Sequence, residues 1–302
     1  MRKSRKKVGS LVKQVEDCLM EMMSPGESKY EDKLNDMTGE KIYSYGTLKS
    51  YMDLSCRFVK WCKAKYPKCR VLSDCKPYIE EYINSLTRYK NSSKKTVRSA
   101  LNKLYLEDCG VKIGPRLRAD IVRSRKETVG DKHFSEENNA DLIEFCRGTG
   151  LRNYKELQVI TGNMLKKRED GYWLMGVKGK NGLFRNVRVF PGFEETVVRL
   201  CKEAGDGKVW THVHSNADVH SYRADYAQLW YREFARPIED IPRKERYYCR
   251  KDKRGTVYDR IALLTVSRYL GHNRIDVMVQ HYLWKDDDEM SKICPRTFRK
   301  DV

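Results

Sequence analysis

Apolar residues recur at helical spacing through the first third of the chain, and this periodicity constrains the fold more than any other feature. One stripe includes Ile79 and Ile83, and a second stripe over residues 97–105 follows the same steps of three and four. Side chains at that spacing share one face of an α-helix, and lysines and arginines fill the outer faces. The pattern predicts a bundle of about four helices over residues 43–109, with a basic surface.

The segment 114–137 interrupts this periodicity. It contains many charges, one proline and two glycines, a composition typical of a linker. A chain of 302 residues fits two domains of ordinary size. We therefore predict a basic N-terminal helix or arm over residues 1–29, a helical domain over residues 30–125 and a second domain over residues 126–302.

The second half alternates between helical and strand-like patterns. Residues 136–147 and 217–235 have helical spacing, and the short alternating segments "GYWLMGV" and "RNVRVF" are joined by "KGKNGLF". Two such segments around a glycine-containing basic connection predict a β-hairpin. A polar, basic insertion follows near residues 233–259, and a charged tail ends the chain. The predicted fold class is mainly α with a small β-hairpin or sheet.

The charge balance indicates a polyanionic partner. The chain has 61 Lys and Arg against 42 Asp and Glu, a net charge of +19. Such a field attracts nucleic acid, although a charged surface that faces only solvent gives the same composition. The basic side chains that we predict to contact DNA lie in the bundle and in the insertion: Lys94, Lys95, Arg98, Arg250, Lys251, Lys253 and Arg254.

No apolar run approaches the roughly twenty residues that span a bilayer. The basic N-terminus is interrupted by Lys, Glu and Asp, which argues against a secretory signal peptide. The ten cysteines then read as reduced thiols, and their tightest group, between Cys56 and Cys75, lacks the Cys-x-x-Cys spacing of zinc sites. We expect a cytoplasmic, nucleoid-associated protein with no membrane segment, metal site or cofactor.

Two pairs of polar residues are hard to explain by packing. Arg152 follows "TGL" at a turn and precedes Glu156, and His220 lies three residues before Arg223 in a helical segment. Residues three apart share one helix face. Each pair also has an ordinary explanation, because an ion pair and a structural His–Arg pair are common in folded proteins.

A third group lies near the C-terminus, in "SRYLGHNRIDVMVQHYLW". Gly271 is typical of a helix C-cap and places His272 where the chain turns out of the helix. Tyr282 follows ten residues later, in a last short helical stretch.

Together and in this order, these residues resemble the tyrosine recombinase, or phage integrase, family over roughly residues 133–284. The matching elements are an arginine in "TGLRNYKEL", with one extra residue before the glutamate, a lysine on a β-hairpin, the box "HSYR", the histidine of "LGH" and a tyrosine after it. By this resemblance the catalytic residues are Arg152, Lys180 or Lys178, His220, Arg223, His272 and the nucleophile Tyr282, with Glu156 in support.

Two assignments within this resemblance have rivals. The hairpin offers both Lys178 and Lys180, and we favour Lys180 because it sits in the turn. The stretch before the "LGH" turn is longer than in many relatives, so Arg246 or Arg250 competes with Arg223 for the second arginine. The tyrosine-rich helix after "HSYR" favours Arg223.

The resemblance implies that the helical domain of residues 30–125 is a SAM-like core-binding domain that contacts DNA, and that residues 126–302 form the catalytic domain. It further implies a mobile-element integrase that cuts and rejoins DNA through a 3′-phosphotyrosine, without metal or ATP. The expected partners are double-stranded recombination sites and three further copies of the chain, with the C-terminal tail exchanged between protomers of a tetramer. The alternatives are a type IB topoisomerase and a catalytically silent DNA-binding relative.

Overall fold

The computed structural model divides into two compact units, Met1–Ile121 and Val122–Val302, each with its own hydrophobic core. The residues that it describes are 9–27, 29–116, 134–152, 156–179, 184–250, 253–285, 288, 290 and 292–293. The boundary that we predict after residue 125 falls outside them, as does the division between the units.

The described secondary structure of the first unit is helical, apart from turns and one isolated β-bridge between Met23 and Ile42. Its helices are α1 (Leu11–Glu21), α2 (Lys29–Leu34), α3 (Tyr45–Lys65), α4 (Leu72–Cys75), α5 (Ile79–Ser85) and α6 (Asn91–Tyr105). The periodic stripes face inward, because Ile79 and Ile83 of α5 and Val97 and Leu101 of α6 are all buried. The four helices expected over residues 43–109 correspond to α3 to α6.

Helix α1 belongs to this core. Leu11, Val15 and Leu19 recur every four residues, so they lie on one face, and all three are buried among the residues of the bundle. The side chain of Ser10 caps the helix by accepting a hydrogen bond from the Lys13 amide at 3.2 Å. The basic segment predicted as an N-terminal arm is therefore packed, from Leu11 onward, against the rest of the bundle.

The second unit combines helices with two small antiparallel sheets. Its elements are α7 (Ala140–Thr149), β1 (Leu165–Lys167), β2 (Trp173–Lys178), β3 (Phe184–Arg188), α8 (Glu194–Ala204), α9 (Val219–Phe234), β4 (Arg246–Tyr248), β5 (Val257–Asp259), α10 (Arg260–Tyr269) and α11 (Ile275–His281). One sheet has the order β1-β2-β3, and β4 pairs with β5. The predicted fold class, mainly α with a small sheet, is confirmed. No described helix is both long enough and apolar enough to cross a bilayer.

The predicted hairpin is formed by β2 and β3. In its register Met175 faces Val187 and Val177 faces Arg185, and both valines and the methionine are buried. Alternate residues of a strand point to the same face. Arg185 therefore lies on the face of the sheet that packs on the core, next to apolar side chains.

Helix α9 runs through the centre of the second unit. Every residue from Tyr222 to Trp230 is buried, which is expected only of a helix that other elements surround. The Trp230 ring stacks on Phe234 at 5.0 Å and meets Phe190 edge-on at 4.9 Å and Tyr269 at 5.5 Å between ring centroids. This aromatic cluster fixes α9 against α10 and against the connection between β3 and α8.

Replacing Trp230 with alanine should destabilise the second unit by roughly 3 to 5 kcal/mol, because a buried indole is removed and its three ring partners lose their contact. Urea unfolding of the full chain, followed by tryptophan fluorescence and circular dichroism, measures the change. Trp230→Phe keeps a ring in place and should cost clearly less. Equal losses for both variants would contradict a role for ring packing.

Candidate active site

Arg223, on α9, lies at the centre of a polar cluster in the second unit. Its side chain is 1% exposed, and all three guanidinium nitrogens donate hydrogen bonds. Two of them bind the backbone carbonyls of Gly150 and Leu270, and Nε donates to the Tyr282 hydroxyl at 3.2 Å. A buried guanidinium needs such complete pairing, because an unpaired buried donor is costly.

Arg152 lies after α7, in the turn that begins with Gly150. Its Nη1 donates to Oε1 of Glu156 at 2.9 Å, and its amide donates to Oε2 at 2.7 Å. Nη2 lies 3.4 Å from the Leu270 carbonyl and 3.2 Å from Nε2 of His272. With 22% of its side chain exposed, Arg152 is the guanidinium of this cluster that solvent reaches most.

A third arginine, Arg185 of β3, joins the cluster and was not among the predicted site residues. Its Nη1 and Nη2 donate to the two carboxylate oxygens of Glu156 at 2.9 and 2.8 Å, and Nε donates to the Tyr269 carbonyl at 3.1 Å. Strand alternation offers a signal for it. In "RNVRVF", Arg185 shares a face with Val187 and Val189, so a charge stands where the strand buries apolar side chains.

Glu156 supplies the negative charge that these arginines share. Burial alone would raise the pKa of its carboxyl, but the hydrogen bonds and charge of Arg185, the charge of Arg223 and the Arg152 amide lower it to about 2. The carboxylate is thus ionised throughout the physiological range. The carboxylate pairs with Arg185 through two parallel hydrogen bonds and accepts a further bond from Arg152. Bidentate pairing of this kind is among the strongest ion-pair geometries in proteins.

His272 follows Gly271 in the turn after α10. Burial, together with the positive charge of Arg223 and Arg152, lowers its pKa to about 4, so the imidazole is neutral near pH 7. Because a guanidinium only donates, Nε2 is the acceptor toward Arg152 and the ring proton is assigned to Nδ1. The buried Ser267 hydroxyl fixes this turn, lying 3.1 Å from the His272 carbonyl.

Tyr282 ends α11 and points into the same cluster. Its hydroxyl oxygen accepts from Arg223 and lies 3.4 Å from Nε2 of His272, with only 5% of the residue exposed. A phenol between a guanidinium donor and an unprotonated imidazole can lose its proton to the ring while the guanidinium stabilises the phenolate. Of the predicted residues, the structure therefore brings together Arg152, Glu156, Arg223, His272 and Tyr282.

The other predicted catalytic residues are His220 and the two hairpin lysines. His220 is in the first turn of α9 and exposed, and Lys178 is exposed at the end of β2. Lys180 lies outside the described residues. The rival Arg246 donates to the Ile241 carbonyl at 2.7 Å within the insertion, whereas Arg223 contacts Tyr282.

The residues predicted to contact DNA have varied surroundings. Lys94 and Lys95 are half-buried on α6, and Nη1 of Arg98 donates to the Val111 carbonyl at 2.8 Å. Arg250 and Arg254 are exposed in the insertion. Lys251 lies outside the described residues, and the ammonium group of Lys253 has partners within its own unit.

Within the described part of the chain, no group of three or more His, Cys, Asp or Glu side chains is arranged to hold a metal ion. The side chains at the site supply three guanidiniums, one carboxylate, one neutral imidazole and one phenol. This combination keeps a net positive charge and can hold an anion beside a tyrosine oxygen.

No family model matches the chain, and no curated protein matches it by sequence. Among solved structures, it is similar to the XerH site-specific recombinase bound to palindromic difH substrate in a post-cleavage complex, with a TM-score of 0.54, 13% identity, and 94% of this chain and 93% of that chain covered. It is also similar to XerH bound to difH substrate in a pre-cleavage complex, with a TM-score of 0.51, 15% identity and the same coverage. At these identities the likeness shows the fold.

Replacing Glu156 with glutamine should cost roughly 3 kcal/mol at pH 7, because a carboxyl of pKa about 2 in the folded protein titrates near 4.3 when unfolded. A lowered pKa stabilises the fold above pH 4.3 and loses that effect as pH falls toward 2. The difference between wild type and Glu156→Gln should therefore shrink by about half at pH 3.

Urea unfolding at pH 7 and pH 3 measures both quantities. Glu203→Gln is a matched control, because Glu203 lies in the same unit and its side chain is 60% exposed beside Arg199. That variant should change stability little at either pH. A pH-independent loss for Glu156→Gln would contradict the charge role assigned to this carboxylate.

Proposed function

We propose that this chain, which has the fold of tyrosine recombinases, is a site-specific recombinase that cuts and rejoins DNA through a 3′-phosphotyrosine. The observation that supports this proposal best is the position of the Tyr282 oxygen, 3.2 Å from Nε of Arg223 and 3.4 Å from Nε2 of His272. A phenol that can attack, a cation and a proton acceptor thus stand within hydrogen-bonding distance of one another.

In the proposed reaction the arginines hold the scissile phosphate. Charge grows on the non-bridging oxygens as a nucleophile attacks a phosphodiester, and planar guanidiniums bind such oxygens through paired N–H groups. Arg152 is partly exposed and Arg223 lies beside the phenol, so the phosphate is expected between them. Glu156 keeps Arg152 in place by accepting a hydrogen bond from its Nη1, and Arg185 orients Glu156 by donating to the same carboxylate.

Two proton transfers accompany the attack. As Arg152 turns to the phosphate and gives up its bond to Nε2 of His272, that nitrogen, unprotonated near pH 7, accepts the Tyr282 proton while the phenolic oxygen bonds to phosphorus. The bond from phosphorus to the 5′ oxygen breaks, and a lysine of the β2–β3 hairpin gives that oxygen a proton. We propose Lys180 for this role, with Lys178 as the alternative. His220, exposed one turn before Arg223, is proposed to donate a hydrogen bond to the phosphate.

The covalent link preserves the energy of the phosphoester. A 5′ hydroxyl of a second strand can therefore attack the phosphotyrosine and rejoin the backbone without ATP, whereas attack by water would lose that energy. Because the arginines supply the charge stabilisation, the proposed chemistry needs no metal ion. Chelation with EDTA should accordingly leave the reaction unaffected.

The partners follow from this chemistry. The predicted basic positions of α6, together with Arg250, Lys251 and Arg254 of the insertion, are proposed to contact DNA phosphates, which makes binding steeply dependent on salt. Lys253 is left out of this set, because its ammonium group already has partners within its own unit. Recombination joins four strands, so we propose a tetramer on paired sites, with the C-terminal tail exchanged between protomers. Such an enzyme would act in the cytoplasm, where chromosomal or mobile-element DNA lies. A type IB topoisomerase is the second candidate, because it uses the same phosphotyrosine.

Tyr282→Phe should abolish covalent trapping of a nicked suicide substrate, because only the attacking oxygen is removed. DNA affinity should stay nearly unchanged, since the phenyl ring keeps its packing. Denaturing gels detect the covalent adduct, and mapping its junction identifies the 3′ linkage. A Tyr282→Phe variant that still traps DNA would show that another residue is the nucleophile. Joining of strands between two duplexes distinguishes a recombinase from a topoisomerase, which only relaxes supercoils.

A lysine that protonates the leaving oxygen becomes dispensable when that oxygen is a better leaving group. Lys180→Ala should therefore slow cleavage of ordinary DNA by roughly a hundredfold or more, the usual range for general acid catalysis. When the substrate carries a sulfur in place of the 5′ bridging oxygen, Lys180→Ala should cleave it at a rate close to that of the wild type. The same rescue for Lys178→Ala, and none for Lys180→Ala, would move the assignment to Lys178.

A further inference from the structure

The insertion between α9 and α10 reaches the segment that bears Tyr282. The ammonium group of Lys253 donates a hydrogen bond to the Leu283 carbonyl at 2.7 Å. It also lies 3.4 Å from the Val279 carbonyl and 3.3 Å from the Tyr258 hydroxyl. Leu283 directly follows the tyrosine, and Val279 lies in the last turn of α11. Lys253 therefore contacts the backbone on both sides of Tyr282.

The contacts of the Lys253 ammonium group are those that a cation makes at the C-terminal end of a helix. The last carbonyls of a helix have no partner within it and carry partial negative charge, so a cation there is favourable. A lysine ammonium group has three donors, and the Leu283 carbonyl, the Val279 carbonyl and the Tyr258 hydroxyl all lie within reach of it.

The hairpin that carries Lys253 is fixed at its base. Arg236 donates to Asp259 at 2.8 Å and to Glu245 at 3.0 Å, which ties the strand after the tip to the residues before β4. The Asp259 carboxylate also accepts from the Ile261 amide at 2.9 Å and so caps α10. The position of Lys253 is thereby set by the same element that leads to the "LGH" turn.

A second anchor lies on the other side of the tyrosine. The Gln228 side chain of α9 accepts from the Lys285 amide at 3.2 Å and donates to the Lys285 carbonyl. The Lys285 ammonium group pairs with Asp225, whose side chain is fully buried. Tyr282 therefore stands on a short segment that α9 holds at one end and Lys253 holds around its middle.

We infer that Lys253 is a positioning residue for the nucleophile, which it holds beside Arg223 and His272 of its own chain. The inference rests on the proposed function in that Tyr282 is taken as the attacking group. It gives the basic insertion a role within the active site in addition to any contact with DNA. Loss of the ammonium group frees the Leu283 carbonyl, and the adjacent phenol then samples positions away from Arg223.

The test compares Lys253→Met, which keeps the apolar stem and removes the charge, with Lys253→Arg, which keeps the cation. At saturating DNA, Lys253→Met should form the covalent adduct roughly tenfold to a hundredfold more slowly in a single turnover, because misplacement of a reacting group by about 1 Å costs that much. Lys253→Arg should recover most of the rate. DNA affinity and its salt dependence should match those of the wild type.

Arg254→Ala is the matched control, because Arg254 is the next residue of the same hairpin and is exposed. A phosphate contact at Arg254 should weaken binding and lower the slope of log affinity against log salt by about one. If Lys253→Met instead behaves like that, with a normal trapping rate at saturating DNA, Lys253 contacts DNA and the inference is overturned.

Hydrogen exchange of the free protein tests the contact without any reaction. The amides of residues 282–285 should exchange faster in Lys253→Met than in the wild type, while those of α9 stay protected. Unchanged exchange at residues 282–285 would overturn the inference. A wild-type protein that traps no DNA would refute the proposed function alone, since the exchange result still reports whether Lys253 holds this segment.

Discussion

The ionised carboxylate of Glu156 is the interaction on which the rest of the site depends. Three guanidiniums lie close together within the second unit. Positive charges so close to each other repel strongly where burial removes the screening by water. Both Glu156 oxygens accept from Arg185, and each also accepts a bond from Arg152. One carboxylate thereby connects the turn after α7 with strand β3, and it leaves a net positive charge for an incoming anion.

The Leu270 carbonyl is a second acceptor that arginines of this cluster share. It accepts from Arg223 and lies 3.4 Å from Nη2 of Arg152, so one backbone oxygen brings these two guanidiniums together. Gly271 then turns the chain with a φ of +70°, a conformation that glycine adopts without strain. A Cβ there would stand 3.0 Å from the Arg185 Cδ, so the glycine also makes room for the third arginine.

Local patterns predicted what is encoded locally. Helical spacing marked the bundle and α9, alternation marked β2 and β3, and the order of the polar motifs singled out Arg152, Arg223, His272 and Tyr282. Strand β1 was not predicted, because its three residues are too few to show the alternation of a strand. The partners of Arg185 and Lys253 lie 29 and 30 residues away along the chain. Such contacts depend on the packing of whole elements. The sequence therefore showed Lys253 only as a basic residue of the insertion, and strand alternation could show Arg185 only as a charge on a buried face.

The site belongs to one compact unit, and this has a consequence for how binding energy can be used. The contacts among Glu156, Arg223, His272 and Tyr282 already exist without DNA, so assembling them need not draw on the energy of DNA binding. Arg223 is too deeply buried to gain a new partner unless it gives up an existing one. In the proposed reaction a phosphate takes over that bond, and the Tyr282 oxygen is released from the guanidinium as the phosphorus atom arrives beside it. Under that proposal, the resting contact both holds the attacking oxygen and makes its release depend on bound phosphate.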